Sequence, residues 1–85
     1  MKRIEIYIMK VKVLFFGVLS ELTGTGIKFY DEVKSIEHLK QRVADDFPEI
    51  IHYKFKVSLN NELLNGDAQL KNNDEVAFLP PFAGG

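Results

Sequence analysis

Val11, Val13 and Phe15 alternate with Lys10, Lys12 and Leu14. That is the two-residue period of a strand with one buried face, and it predicts a first strand over 11–16. Upstream, Ile4, Ile6 and Ile8 also alternate, but in the opposite phase. A single strand through both would change its buried face midway, so residues 1–8 read as an extension ahead of a domain that begins near Met9. Residues 18–22 read as a short helix closed by Gly24, a residue suited to a left-handed terminator. Residues 27–30 predict a second strand. Ile36, Leu39, Val43 and Phe47 then recur at spacings of three and four, one face of an amphipathic helix. Ser35 is its N-cap, Pro48 its stop, and Glu37, Lys40, Gln41, Arg42, Asp45 and Asp46 its wet side.

Phe55, Val57 and Leu59 alternate with Lys54, Lys56 and Ser58, which predicts a half-buried strand with a polar face. Asn60-Asn61 suits a tight turn, because Asn tolerates positive φ. A brief return strand follows over 62–64. Asn65-Gly66 and Asn72-Asn73-Asp74 are further turns, and residues 75–79 form the last strand. One long helix among several strands predicts an α+β domain, a mixed sheet of about five strands packed on that helix, plus the short helix. The chain divides into an extension (1–8), a domain (9–79) and an extended tail (80–85). If Val76 and Phe78 share the buried face of Val11, Val13 and Phe15, then Leu14, Phe16, Ala77 and Leu79 lie on the opposite face. Parallel pairing of the first and last strands would bring those four together as an apolar partner-docking patch.

Composition narrows the chemistry. The chain has 85 residues, 46% of them apolar, and a net charge of −1 with no cysteine. One small domain follows, with no disulfide, no thiolate and no basic tract for nucleic acid. No apolar run approaches the roughly 20 residues of a membrane span, and the N-terminus has no signal-peptide pattern, so the expected partners include no membrane and the expected compartment is cytoplasmic. His38 and His52 read as solvated surface residues, with no metal site. Asp45 and Asp46 read as a solvated helix surface, and neither Asp31-Glu32 nor Ser20 completes a catalytic set. Gly24 and Gly26 lack the lysine of a phosphate loop.

The C-terminus carries what chemistry remains. Pro80-Pro81 cannot continue the sheet and makes a stiff extended arm. Phe82, Ala83 and Gly84 lead to the free carboxylate of Gly85. Glycine has no Cβ, so this end can thread a channel too narrow for side chains. Six residues reach roughly 20 Å at most, enough to place a carboxylate in another protein's active site.

The stretches Val13-Leu14-Phe15-Phe16-Gly17, Glu21-Leu22-Thr23-Gly24 and Asp74 to Gly85 resemble the family of small, sulfur-carrying subunits of molybdopterin synthase. The resemblance implies the β-grasp fold of ubiquitin and a mechanism centred on Gly85. An ATP-dependent activating enzyme adenylates its carboxylate, and a sulfur donor converts it to a covalent thiocarboxylate. The large synthase subunit, paired with the carrier in a heterotetramer, then takes the tail and moves sulfur onto a pterin precursor of the molybdenum or tungsten cofactor. No cofactor is bound by the chain itself, and the catalytic groups belong to the partner. The resemblance leaves two alternatives: the sulfur carrier of thiazole synthesis, and a ubiquitin-like modifier conjugated through Gly85. Ser20 stands where relatives often carry arginine, and Asn72-Asn73 where Asp-Gly is usual.

Overall fold

The computed structural model describes residues 9–81. Strand β1 (Lys10–Phe15) leads into helix α1 (Val18–Thr23), and β2 (Ile27–Asp31) into helix α2 (Ile36–Asp46). A 3-10 helix (Pro48–His52), β3 (Lys56–Leu59), β4 (Glu62–Leu63) and β5 (Glu75–Leu79) complete the order. The sheet runs β2-β1-β5-β3-β4. Its central pair, β1 and β5, is parallel, and every other pair is antiparallel. This mixed sheet curled around α2 is the β-grasp architecture that the resemblance implied.

The alternation along β1 sets the layers. Val11, Val13 and Phe15 are buried together with Val76 and Phe78 of β5 and Ile36, Leu39 and Val43 of α2. Each such side chain contributes roughly 1.5–3 kcal/mol of transfer free energy. Phe78 is the hub: its ring stacks on Phe55 at 4.9 Å between centroids and tilts against Phe15 at 5.5 Å. Ser35 caps α2, its Oγ accepting the His38 N–H at 3.1 Å. Phe47 ends the helix in a non-helical conformation, as the following proline requires.

Several expectations change. β1 stops at Phe15, one residue short, because Gly17 turns the chain; the Phe16 N–H still donates to the Phe78 carbonyl at 3.2 Å. Pro48 starts a 3-10 turn that buries Ile50, so the chain after α2 is ordered and adds to the core. His38 is only half exposed, and its Nδ1 accepts the Lys34 N–H at 3.1 Å, so it is a second cap of the helix start and no merely solvated side chain. Asp46 is exposed but engaged, accepting the Tyr30 hydroxyl at 2.8 Å with Lys28 3.6 Å away. Ser58, expected on the wet face, is buried. It faces outward, as expected, but Leu63 of β4 and Ala77 of β5 flank it there.

Candidate functional site

The parallel register brings the outward-facing residues of the central strands together. Leu14 lies opposite Ala77, with Lys12 opposite Glu75 beside them. On the other side of β5, Ala77 is opposite Ser58 and Leu79 opposite Lys56. Leu14, Phe16, Ala77 and Leu79 therefore line one groove of about 510 Å³, completed by Lys56, Ser58, Asn61, Leu63, Glu75, Pro80 and Pro81. No α1 residue lines it: Leu19 of that helix is buried in the core instead. Residues 1–8 lie outside the described part of the chain, so the extension's relation to the groove does too.

The groove is apolar at its floor and polar at its rim. Lys12 Nζ sits 3.8 Å from Glu75 Oε2, with both side chains about 40% exposed. In that solvent the pair contributes little to stability, and it is a polar interruption at one end of the groove. Lys56 lines the groove and has no ion-pair partner among the described residues. Lys56, Ser58 and Leu63 were not anticipated as lining; once Val57 is assigned to the core, alternation along β3 puts Lys56 and Ser58 there, whereas Leu63 depends on the register of a two-residue strand.

The groove ends at the tail's root. Gly17 has φ 57° and ψ −133°, angles essentially restricted to glycine. A Cβ on it would lie 3.0 Å from Cγ of Pro80. The glycine thus lets the β1–α1 corner close against the first residue of the arm. The Ser20 hydroxyl and N–H both donate to the Gly17 carbonyl, at 2.8 and 3.0 Å, holding that corner. Pro81 is exposed and lines the groove. Phe82, Ala83, Gly84 and Gly85, assigned from the sequence to threading and to the reactive carboxylate, lie outside the described residues. Among the described residues, no group of three or more His, Asp or Glu side chains could hold a metal ion. No described helix is long and apolar enough to cross a membrane.

A mixed sheet curled on one helix, its last strand ending in two prolines beside an apolar groove, places the chain among the ubiquitin-like β-grasp domains. The chain belongs to the ThiS family, whose model matches residues 13–85. It is 34% identical over 80 residues to the molybdopterin synthase sulfur carrier subunit of Escherichia coli (strain K12), spanning 88% of this chain and 99% of that protein. Its fold superposes on a chain of a complex of subunits 1 and 2 of the molybdopterin-converting factor from Helicobacter pylori 26695, with a TM-score of 0.68, 25% identity, and coverage of 91% of this chain and 100% of that one. It also superposes on small archaeal modifier protein 1 from Methanosarcina acetivorans, with a TM-score of 0.77 over 93% of this chain and 99% of that one. At 24% identity, that second likeness is one of fold.

Proposed function

We propose that this chain is the sulfur carrier of molybdopterin synthesis and that Gly85 bears the sulfur. One observation carries the reading. The family match extends through Gly85, and the strand leading to it ends in two prolines beside an apolar groove. The likeness to a molybdopterin synthase sulfur carrier over nearly that protein's whole length supports the same pathway.

The chemistry follows from the carboxylate. A carboxylate oxygen attacks the α-phosphorus of ATP on an adenylating partner, expelling pyrophosphate and leaving an acyl-adenylate. A sulfur nucleophile at the oxidation level of sulfide then attacks the carbonyl carbon. AMP departs, and the thiocarboxylate remains. Glycine leaves that carbon unhindered on every side. In the large subunit the thiocarboxylate sulfur attacks a carbon of the pterin precursor and displaces an oxygen substituent there; water then cleaves the resulting thioester, leaving the sulfur on the pterin and restoring the Gly85 carboxylate. This chain's part is to dock and to extend: Leu14, Phe16, Ala77 and Leu79 present the apolar contact, and Pro80-Pro81 hold the arm off the sheet so that Phe82, Ala83 and Gly84 thread the partner. The partners are thus the large synthase subunit in a heterotetramer, an adenylating enzyme and a sulfur donor.

Intact-mass measurement of the protein from its source organism tests this. The expected result is a species with one C-terminal oxygen replaced by sulfur, and co-purification of a pterin synthase large subunit. Only free carboxylate, or a thiazole synthase as the partner, overturns it. Isopeptide adducts through Gly85 on other proteins identify a modifier instead.

A further inference from the structure

We infer that the docking footprint of the large subunit continues past the groove and across the edge strand β2, over Ile27 and Phe29. This deepens the reading above and rests on it. In the antiparallel register Leu14 lies opposite Ile27 and Lys12 opposite Phe29, so both β2 side chains stand on the same face as the groove. Ile27 is 50% exposed and Phe29 53%. A lone exposed apolar residue needs no explanation, but these two continue a surface that already holds Leu14, Phe16 and Leu63. Leu14 belongs to both sets, so the apolar surface passes from the groove to β2 at the Leu14–Ile27 pair, beside the polar Lys12–Glu75 pair. Lys10 borders the extension, its Nζ 5.7 Å from the centre of the Phe29 ring, as a polar edge around an apolar centre.

Size favours the same conclusion. Five strands about 4.8 Å apart and about 17 Å long present a face on the order of 400 Å² in projection, against the roughly 800 Å² that each partner buries in a stable complex. The groove draws on β1, β5, β3 and β4 but not β2. A partner confined to it would use only part of a face that is already small. One that also takes the tail and covers β2 comes closer to the area a stable complex needs.

The test uses the full-length chain and the large subunit from the same organism. Ile27→Thr and Phe29→Thr keep strand-compatible side chains while removing apolar surface. Each is expected to raise Kd about tenfold, with the melting temperature unchanged. In the unaltered chain, the Ile27 and Phe29 amides should gain hydrogen-exchange protection on complex formation, a readout independent of any variant's folding. Normal binding by both variants, with no added protection in β2, overturns the inference and ends the footprint at the groove. Self-association of the wild type that is lost in the variants, with large-subunit binding intact, also overturns it, by assigning β2 to a second copy of the chain. If the wild type does not bind the large subunit at all, it is the proposed function that fails, and this inference fails with it.

Discussion

Among the described residues, four non-glycine residues take positive φ: Glu32 at 55°, Asn60 at 50°, Asn61 at 74° and Asn73 at 70°. The asparagines were legible as turn formers, because a short amide side chain tolerates the left-handed region. At Asn73 it supplies the angle that Gly supplies in the usual Asp-Gly. The turns are also stitched to each other: Asn60 Oδ1 accepts the Glu75 N–H at 2.9 Å, and Asn60 Nδ2 donates to Asp74 at 3.0 Å. Glu32 carries no such signature, and nothing in its neighbours' pattern reveals the strain. Replacing it with asparagine, which bears the left-handed region more easily, should stabilise the domain by about 0.5 kcal/mol. At Gly24, whose φ of 74° closes α1 with open space around it, alanine should cost about 1 kcal/mol. Urea midpoints of the two variants check both signs. A stabilising Gly24→Ala would mean that the helix ends some other way.

At the level of elements, β1, α2 and β5 were written in their alternations, but β2 was not. Ile27, Lys28, Phe29 and Tyr30 supply an apolar residue to either face, and only tertiary contacts decide which face goes in. Tyr30 goes in, with its ring buried and its hydroxyl on Asp46; Lys28 and Arg42 lie 5.4 and 5.5 Å from the ring centre. That choice turns Ile27 and Phe29 outward, so the edge strand's apolar face could not be read from the sequence. The pin between β2 and α2 has a pH signature. Burial first, then the hydrogen bond from its own hydroxyl to Asp46 and that residue's charge, push the Tyr30 phenol above its ordinary value; Arg42 opposes them. The native state therefore holds this proton more tightly than the unfolded chain does. The stability this group contributes is fully present below pH ~10 and is lost as pH rises beyond that. Ultraviolet titration should show a tyrosine step above the ordinary phenol range. In Tyr30→Phe that late step should vanish, and with it part of the alkaline loss of stability; a late step that survives the substitution would show that it does not belong to Tyr30.

On the proposed function, the molecule separates affinity from chemistry, and the two should be lost independently. The tail's composition and the four apolar residues at its root were legible. Their meeting in one groove required the parallel pairing of β1 with β5, a contact between strands some 60 residues apart that no local pattern specifies. Phe16 shows the division best. It lies just past β1, 45% exposed, outside the core and on the groove. Phe16→Asp should therefore leave the melting temperature within a few degrees of the wild type, since surface changes cost about 0.5 kcal/mol or less. The same carboxylate would lose its water on docking, a cost that the Lys56 ammonium of the groove offsets only in part, so docking should weaken on the order of a hundredfold. Deleting Gly85 does the reverse. The groove and the folded domain are untouched, so binding should change only a few-fold, while sulfur loading falls to nothing because the new terminal carboxylate, on Gly84, stops one residue, about 3.5 Å, short of the adenylating site. Titration calorimetry with the large subunit, alongside thiocarboxylate quantified by mass, reads both quantities on both variants. Equal losses of binding in the two would show that tail and sheet act as a single contact. A marked drop in melting temperature on deleting Gly85 would show that the terminus packs on its own domain, and the arm would then be no free carrier of sulfur.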